Sequence, residues 1–333
     1  MESVVGDLLS LLEPGEPAEY ENLGVVPLFL PGKKGRGPKY LTLAEALGEK
    51  LISVTEVSEG GAVPELKVVN RAEKPVLILD GEELVGAKQN RVVNTTILLA
   101  AKSATVIPVS CTERGRWSYV SASFRDSGHV MSRKVRACKA AAVSSNLSRG
   151  LGFMADQGEV WSEVDELSRK MEVHSPSAAM ADVFASRSQS LADYVAAFPL
   201  RENQTGLAAL TGGRVVGVDF VSRPEAYRVL HPRLVKSYAL EAMAEGSSRP
   251  GGEKGKDPAA LAAEFIRAAA AAEGDRHSST GLGWDWRLAG DNIVGSALVY
   301  RKTVIHTAFF RREEKIYEGG RIHRSRRYRY PVY

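Results

Sequence analysis

The chain of 333 residues contains only two cysteines, Cys111 and Cys138, and they are far apart in sequence. A disulfide framework is therefore not expected, and a reducing compartment suits the chain better. No apolar run approaches the roughly 20 residues of a membrane span. The acidic segment MESVVGDLLSLLEPG also lacks the basic stretch of a secretory signal. These absences predict a cytoplasmic protein with no membrane partner.

Several catalytic and cofactor motifs are also missing. The six histidines are scattered without an i, i+4 pair, no GxGxxG follows a predicted strand, and no GxSxG occurs. The segment GGEKGKD resembles a phosphate loop, but Pro250 replaces its first glycine and Asp257 replaces the serine or threonine that would contact magnesium. We therefore predict no metal site, and the sequence leaves any cofactor unknown.

Positive charge is concentrated at the C-terminal end. Residues 311–333 contain eight basic and three acidic side chains, so this segment carries +5 and the rest of the chain about −1. Its RRYRYPVY sequence interleaves arginine, which neutralises phosphates, with tyrosine, which stacks on bases. Nucleic acid is one candidate partner. The near-neutral body offers no second basic surface, so we prefer packing of the tail on the body or on a neighbouring subunit of a homo-oligomer.

Hydrophobic patterns divide the chain into a β-rich part (1–125), a helical segment (126–200), an α/β part (201–312) and a basic tail (313–333). Short apolar runs separated by turn residues predict an antiparallel β roll or sandwich in the first part. The α/β part is predicted to contain a hairpin, a helix and further strands. We predict an α+β fold in which these parts form one compact unit.

Local signals refine this outline. Thr42 is a candidate N-cap for a short helix. Gly212-Gly213 lies between two apolar runs and predicts a hairpin, because glycine tolerates positive φ. Pro232 predicts a kink or a new start in the following helix. Residues 246–257, rich in glycine, serine and charge, predict a flexible linker.

The stretch LILDGEELVGAKQNRVVNTTILLA combines apolar runs with many polar residues. Asp80-Gly81 is a strong hairpin signal, and one interpretation is that Glu82 and Glu83 only solvate the turn. The alternative is a site in which these acids bind a cation or act as acid and base. Gln89 and Arg91 would then hold a carboxylate, phosphate or amide.

A second polar cluster, VSCTERGRWSY, follows an apolar strand. Arg116 is a candidate for an anion and Trp117 for stacking on a ring, and the alternative is a strand-end salt bridge beside a core indole. We predict a buried, inert thiol at Cys111. We also predict that the strand ending there pairs with residues 90–99, which would bring Arg91 within reach of Glu113 or Glu83.

A third cluster precedes the Gly-Gly hairpin. Gln204 lies in it, and Asp219 comes near the far end of the hairpin, so the two side chains are candidates to lie across from one another. The alternative is a polar entrance to an edge strand.

Three ordered segments resemble one bacterial family: LDGEELVGAKQNRVVNTTILLAAKS, IPVSCTERGRW, and NQTGLAAL followed by GGRVVGVDFVSRPEAY and LVKSYALEA. This is the ADP-ribosylglycohydrolase and rhodanese-phosphatase-superfamily-associated protein domain, and the resemblance covers about residues 20–310. It implies a role linked to ADP-ribose or NAD, without assigning catalytic residues. The matching positions include Gly81, Glu82, Gln89, Arg91, Cys111, Glu113, Arg116, Trp117, Gln204, Gly206 and Tyr238.

Three functions remain open from the sequence. The first is a module that binds a nucleotide-derived or ADP-ribose-related ligand, because arginine, tryptophan and amide side chains occur near strand ends. The second is a hydrolase, and the third is an interaction protein without a small-molecule site. The catalytic candidates are Glu82, Glu83 and Glu113. The ligand-binding candidates are Gln89, Arg91, Arg116, Trp117 and Gln204.

Overall fold

The computed structural model describes residues 4–32, 37–58, 60–246 and 256–312, and it confirms an α+β fold. The basic tail and most of the predicted linker lie outside these residues. The helices are α1 (Val4–Ser10), α2 (Leu43–Gly48), α3 (Arg133–Ser148), α4 (Gln157–Lys170), α5 (Met180–Ser186), α6 (Ser188–Ala197), α7 (Pro224–Glu245) and α8 (Pro258–Ala270). The strands are β1 (Glu13–Pro14), β2 (Ala18–Tyr20), β3 (Leu23–Phe29), β4 (Leu41–Thr42), β5 (Ile52–Glu56), β6 (Glu65–Asn70), β7 (Val76–Ile78), β8 (Glu82–Gly86), β9 (Arg91–Val93), β10 (Ile97–Leu99), β11 (Ser103–Cys111), β12 (Phe124–Val130), β13 (Gln204–Thr211), β14 (Arg214–Val221), β15 (Glu273–Ser278), β16 (Trp284–Gly290), β17 (Ile293–Tyr300) and β18 (Thr303–Arg311).

The predicted N-terminal β region contains a closed barrel of six strands in the order β11-β6-β5-β12-β8-β9. Side chains alternate between the two faces of each strand, so every second residue points inward. The inward rows are apolar and include Val54, Leu66, Leu84, Val93 and Val109, which form one buried cluster. Closure leaves the barrel without an exposed strand edge and buries its own small core.

A nine-stranded antiparallel sheet forms the second layer, in the order β1-β3-β13-β14-β18-β17-β16-β15, with β2 also paired to β3. One face packs against α1 and α8, and the other packs against a larger core that includes α3 to α7. A small sheet, β10-β7-β4, lies beside these two. None of the described helices is both long and apolar enough to cross a membrane.

Two local predictions are confirmed. Gly212 and Gly213 have φ of 56° and 70°, and they join β13 to β14 with Thr211 opposite Arg214, so a two-residue hairpin forms. Thr42 caps α2, because its hydroxyl accepts from the Glu45 backbone while the Glu45 side chain accepts from the Thr42 backbone. This reciprocal pair satisfies backbone donors that the first helical turn leaves free.

Two local predictions are wrong, and a third is wrong in one of its two alternatives. Asp80-Gly81 does not close a hairpin, because β7 pairs with β10 and β4 whereas β8 pairs with β9 and β12. The apolar run at 92–99 is two strands, separated by buried residues 94–96 that bond to other parts of the molecule. A new helix start at Pro232 is wrong, because Pro232 lies inside α7, which continues through it. Long-range contacts decided the first two cases.

Helix α3 joins the two layers through buried ion pairs. Arg133, Arg136 and Lys139 lie three residues apart, and they pair with Glu241 on α7, Asp219 on β14 and Asp80 after β7, respectively. Residues at this spacing share one helical face. The buried face of α3 is therefore cationic, and three acids from different elements neutralise it.

Candidate functional site

One end of the barrel collects most of the sequence candidates. Arg91 lies opposite Leu84 on β8 and Cys111 on β11, and Leu84 belongs to the interior row of the barrel. Directly paired residues share a face, so Arg91 and Cys111 also point inward. Glu56 does so too, because it lies opposite Leu66. We define Glu56, Lys88, Arg91, Cys111 and Trp117 as the barrel mouth.

The Arg91 guanidinium is fully buried and only partly hydrogen-bonded. Its Nη1 donates to the side-chain and backbone oxygens of Gln89 at 2.9 and 3.2 Å. Its Nε and Nη2 have no hydrogen-bond partner in the described part of the chain. Burial lowers the Arg91 pKa from its usual value, opposed by the neighbouring Cys111 and Glu56. Gln89 thus orients a cation whose two remaining donor groups are unsatisfied.

The Trp117 ring lies over this cation, and Trp117 and Tyr119 both lie beside Lys88. The Arg91 guanidinium carbon lies 5.6 Å from the Trp117 ring centroid, and the Lys88 ammonium lies 5.5 Å from the same ring and 5.0 Å from that of Tyr119. Lys88 also donates to the Gly60 carbonyl at 2.7 Å. Trp117 and Tyr119 keep 49% and 52% of their surface exposed. The mouth therefore presents two cations and two open aromatic rings.

Glu113 and Arg116 clamp the β8–β9 turn. Arg116 donates to both Glu113 oxygens, at 2.6 and 2.9 Å, and to the Ala87 carbonyl at 2.7 Å. Ala87 has a φ of 40°, which is unfavourable for a residue other than glycine. Burial alone would raise the Glu113 pKa, but hydrogen bonds from Arg116, Ser177 and the Asn90 backbone outweigh it and lower that pKa. Glu113 is therefore held as a carboxylate in a structural contact.

The predicted pairing of β9 with β11 is confirmed. The predicted contact of Arg91 with Glu113 or Glu83 is wrong, because no hydrogen bond or ion pair joins them among the described residues. Arg116 takes Glu113 instead, since it lies only three residues away on the same loop.

Sequence reasoning overlooked Glu56. Both of its carboxylate oxygens are buried without a hydrogen-bond partner in the described ranges. The signal was present in LISVTE, where Ile52, Val54 and Glu56 fall on one face at period two. A carboxylate at the third inward position of an apolar row marks a polar end of the barrel.

Cys111 is buried, as predicted. Gln157 at the start of α4 holds its backbone, accepting from the Cys111 N–H at 2.7 Å and donating to its carbonyl at 2.9 Å. Burial raises the Cys111 pKa above its usual value, although Arg91 opposes this. The thiol is therefore protonated at neutral pH, where a thiol is a poor nucleophile.

Native Cys111 should accordingly react slowly with a thiol reagent. We expect labelling of Cys111 to need unfolding, with Cys138 followed separately in a Cys111→Ser variant. Mass spectrometry of the labelled protein, native and in denaturant, measures this. Rapid native labelling at Cys111 would show that the thiol is accessible and ionised.

Glu82 and Glu83 are both fully buried on β8, in different surroundings. Adjacent strand residues point to opposite faces. Glu82 accepts from Arg233 on α7 at 3.3 Å, whereas Glu83 accepts from Thr112 at 2.8 Å. Burial raises the pKa of each carboxyl to about 7, against hydrogen bonds and, for Glu82, the charge of Arg233. Neither acid solvates a turn, which corrects that interpretation.

Gln204 occupies another part of the molecule. Its amide donates to the Tyr227 hydroxyl at 3.1 Å and to the Gly206 carbonyl at 2.9 Å, within the nine-stranded sheet. Leu207, not Gln204, lies opposite Asp219, so the expected cross-hairpin pair is wrong. No cluster of three or more histidine, cysteine or acidic side chains suited to a metal ion occurs in the ranges that the structure describes.

Comparison with known proteins gives one result. The model of the family ARPP-1, the ARG and Rhodanese-Phosphatase-superfamily-associated Protein domain, matches residues 11–310. The matched range spans both the barrel and the nine-stranded sheet. Searches of curated proteins and of solved structures give no match.

Proposed function

Because the chain belongs to the ARG and Rhodanese-Phosphatase-superfamily-associated Protein domain family, we propose that it binds a nucleotide-derived, ADP-ribose-related ligand at the barrel mouth. We take ARG in the family name to mean ADP-ribosylglycohydrolase. The observation that carries the proposal is the buried Arg91 guanidinium with Nε and Nη2 unsatisfied beneath a half-exposed indole.

Arg91 is suited to a phosphate. A guanidinium presents parallel N–H donors that match two oxygens of a phosphate, and such charge-assisted bonds are stronger than neutral ones. An unsatisfied buried donor costs about 1–3 kcal/mol, which a phosphate oxygen would recover. Lys88 adds a second positive charge, 5.5 Å from the same indole ring. An anion bound by Arg91 would therefore lie in a region of positive charge.

Trp117 and Tyr119 are suited to a base. The Trp117 ring covers Arg91, so the indole must rotate before a phosphate reaches the guanidinium. Half of its surface is already in solvent, so we expect this rotation to leave the apolar barrel core closed. The displaced indole and Tyr119 then offer faces for stacking of a nucleobase, a contact worth about 1–3 kcal/mol.

Calorimetric titration with ADP-ribose tests the assignment of Arg91. We expect binding by the wild type and a loss of affinity of at least about tenfold in Arg91→Met, because one or more charge-assisted bonds disappear. Arg114→Met is the control, since Arg114 lies on the loop that carries Trp117 and pairs at the surface with Asp165. Failure of the wild type to bind ADP-ribose, ADP or NAD would contradict the proposal, as would equal affinity in Arg91→Met.

Trp117→Ala tests the stacking surface. We expect it to weaken ADP-ribose binding by about 1–3 kcal/mol. Trp284→Ala is the control, because Trp284 is similarly exposed, at 44%, but lies on β16 of the nine-stranded sheet. A loss of affinity of the same size in both variants would argue against stacking at the mouth.

The hydrolase hypothesis draws support from the pKa of about 7 for Glu82 and Glu83, a suitable value for acid–base work. Both carboxyls are fully buried, however, and they lie on opposite faces of β8. Glu113 is engaged by Arg116. Ligand binding is therefore the function that we favour.

A further inference from the structure

Glu56 is an unusual buried carboxylate. It ends β5, it is 8% exposed, and neither of its oxygens has a hydrogen-bond partner in the described ranges. Removing a carboxylate from water without a donor is costly, so buried acids are normally paired. Two acceptor atoms without a donor among the described residues make the barrel mouth suited to a ligand that donates hydrogen bonds.

Glu56 and Arg91 face the same mouth without meeting. The charge of Glu56 favours the charged form of Arg91, yet no hydrogen bond joins Glu56 to the Nε or Nη2 of Arg91 in the described ranges. A molecule that lies between them can satisfy both, if it offers anionic oxygens to the guanidinium and hydroxyl donors to the carboxylate. Phosphorylated sugars combine these groups.

The charge of the mouth favours phosphorylated sugars over other classes of ligand. Lys88 and Glu56 lie close together, because both side chains border the same point beside Gly61. A Cβ atom added to Gly61 would lie 3.4 Å from the Lys88 Cδ and 3.5 Å from the Glu56 Oε2. The mouth thus contains two cations and one carboxylate, which favours a ligand with net negative charge over a neutral zwitterion such as an amino acid. A bare phosphate would leave the Glu56 oxygens without donors.

We propose that Glu56 recognises the hydroxyls of a terminal ribose that carries no base, and so makes the mouth selective for a diphosphate with a second ribose at its far end. This inference rests on the proposed function, in which Arg91 binds the phosphate. Sites that hydrogen-bond a ligand hydroxyl discriminate strongly against an analogue without it, because their buried polar groups are left unpaired. ADP-ribose should therefore bind more tightly than ADP, which lacks the terminal ribose.

Titration of ADP-ribose, ADP and glycine into the wild type and two glutamate variants tests this selectivity. We expect the wild type to prefer ADP-ribose over ADP by at least about tenfold, from one charge-assisted bond or more. Glu56→Gln should remove that preference while ADP affinity changes less than about threefold. Glu65→Gln, at an exposed position on the neighbouring strand, should keep the wild-type preference.

The outcomes separate the two proposals. If Arg91→Met binds both nucleotides as the wild type does, or the wild type binds neither, the proposed function fails and this inference fails with it. If Arg91→Met weakens both but Glu56→Gln keeps the preference, or the wild type shows none, only the role of Glu56 is overturned. Equal losses for ADP and ADP-ribose in Glu56→Gln, or binding of glycine in place of the nucleotides, would also overturn it.

Discussion

Arg136→Met should destabilise the protein by about 3–5 kcal/mol, the usual effect of breaking a buried ion pair. Arg136 and Asp219 are both fully buried, and two hydrogen bonds of 2.5 and 3.0 Å join them. The Tyr238 hydroxyl adds a donor to Asp219 at 2.7 Å. Burial alone would raise the Asp219 pKa, but Arg136 and His306 hold it far below its usual range. The substitution would leave this buried carboxyl without its main charge partner.

Denaturant unfolding with a double-mutant cycle measures the effect. Asp219→Asn should also be strongly destabilising, and the Arg136→Met/Asp219→Asn double variant should lose less than the sum, because the two side chains interact directly. Lys102 and Glu73 form an exposed pair at 2.8 Å and serve as the control, where a loss below about 1 kcal/mol is expected. Additive losses at Arg136 and Asp219 would show that the pair is not coupled.

Stability should also fall as the pH rises from about 5 to 8, through ionisation of Glu82 and Glu83. Burial gives both carboxyls a pKa of about 7 in the folded protein, against an ordinary value of 4.5. Between these values the folded state binds protons that the unfolded state does not, so the stability that each carboxyl contributes is complete below pH 4.5 and is lost as the pH rises through 7. Each carboxyl contributes about 3 kcal/mol to this change.

His129 makes stability rise with pH, so the effect of the two glutamates must be measured in single variants. Burial lowers the His129 pKa to about 4, and the stability that this side chain contributes is lost as the pH falls from 6.5 towards 4. The unfolding free energy of Glu83→Gln should rise relative to that of the wild type by up to about 3 kcal/mol between pH 5 and pH 8, because the glutamine does not ionise. The surface variant Glu73→Gln should have an unfolding free energy within about 0.5 kcal/mol of the wild type at both pH values. A constant difference for Glu83→Gln would contradict the burial argument.

Features encoded by neighbouring residues were predictable from the sequence. The Gly212-Gly213 turn and the Thr42 cap depend on a few adjacent backbone groups, and both were correct. Asp80-Gly81 has the residues of a hairpin turn, but no hairpin forms there. Whether one forms depends on the strands with which β7 and β8 pair, and those strands lie elsewhere in the sequence.

Members of the candidate site were predictable from the sequence, but their pairing was not. Gln89 and Arg91 were placed in one polar cluster and Arg116 and Trp117 in the next, and the structure brings the two clusters into contact. Glu113 pairs with Arg116 rather than Arg91 because of the path of the loop after β11. The period of apolar residues along a strand does not predict that path. Gln204 shared the amide chemistry of a binding residue, yet its partners belong to a different layer.

A crystal structure with ADP-ribose tests the central claim most directly. We predict diphosphate oxygens within hydrogen-bond distance of the Arg91 Nε and Nη2, a base against Trp117 or Tyr119, and the terminal ribose facing Glu56. The same soak of Arg91→Met should leave the barrel mouth empty. Density for ADP-ribose elsewhere in the wild type, with the Arg91 guanidinium still covered by Trp117, would contradict the account.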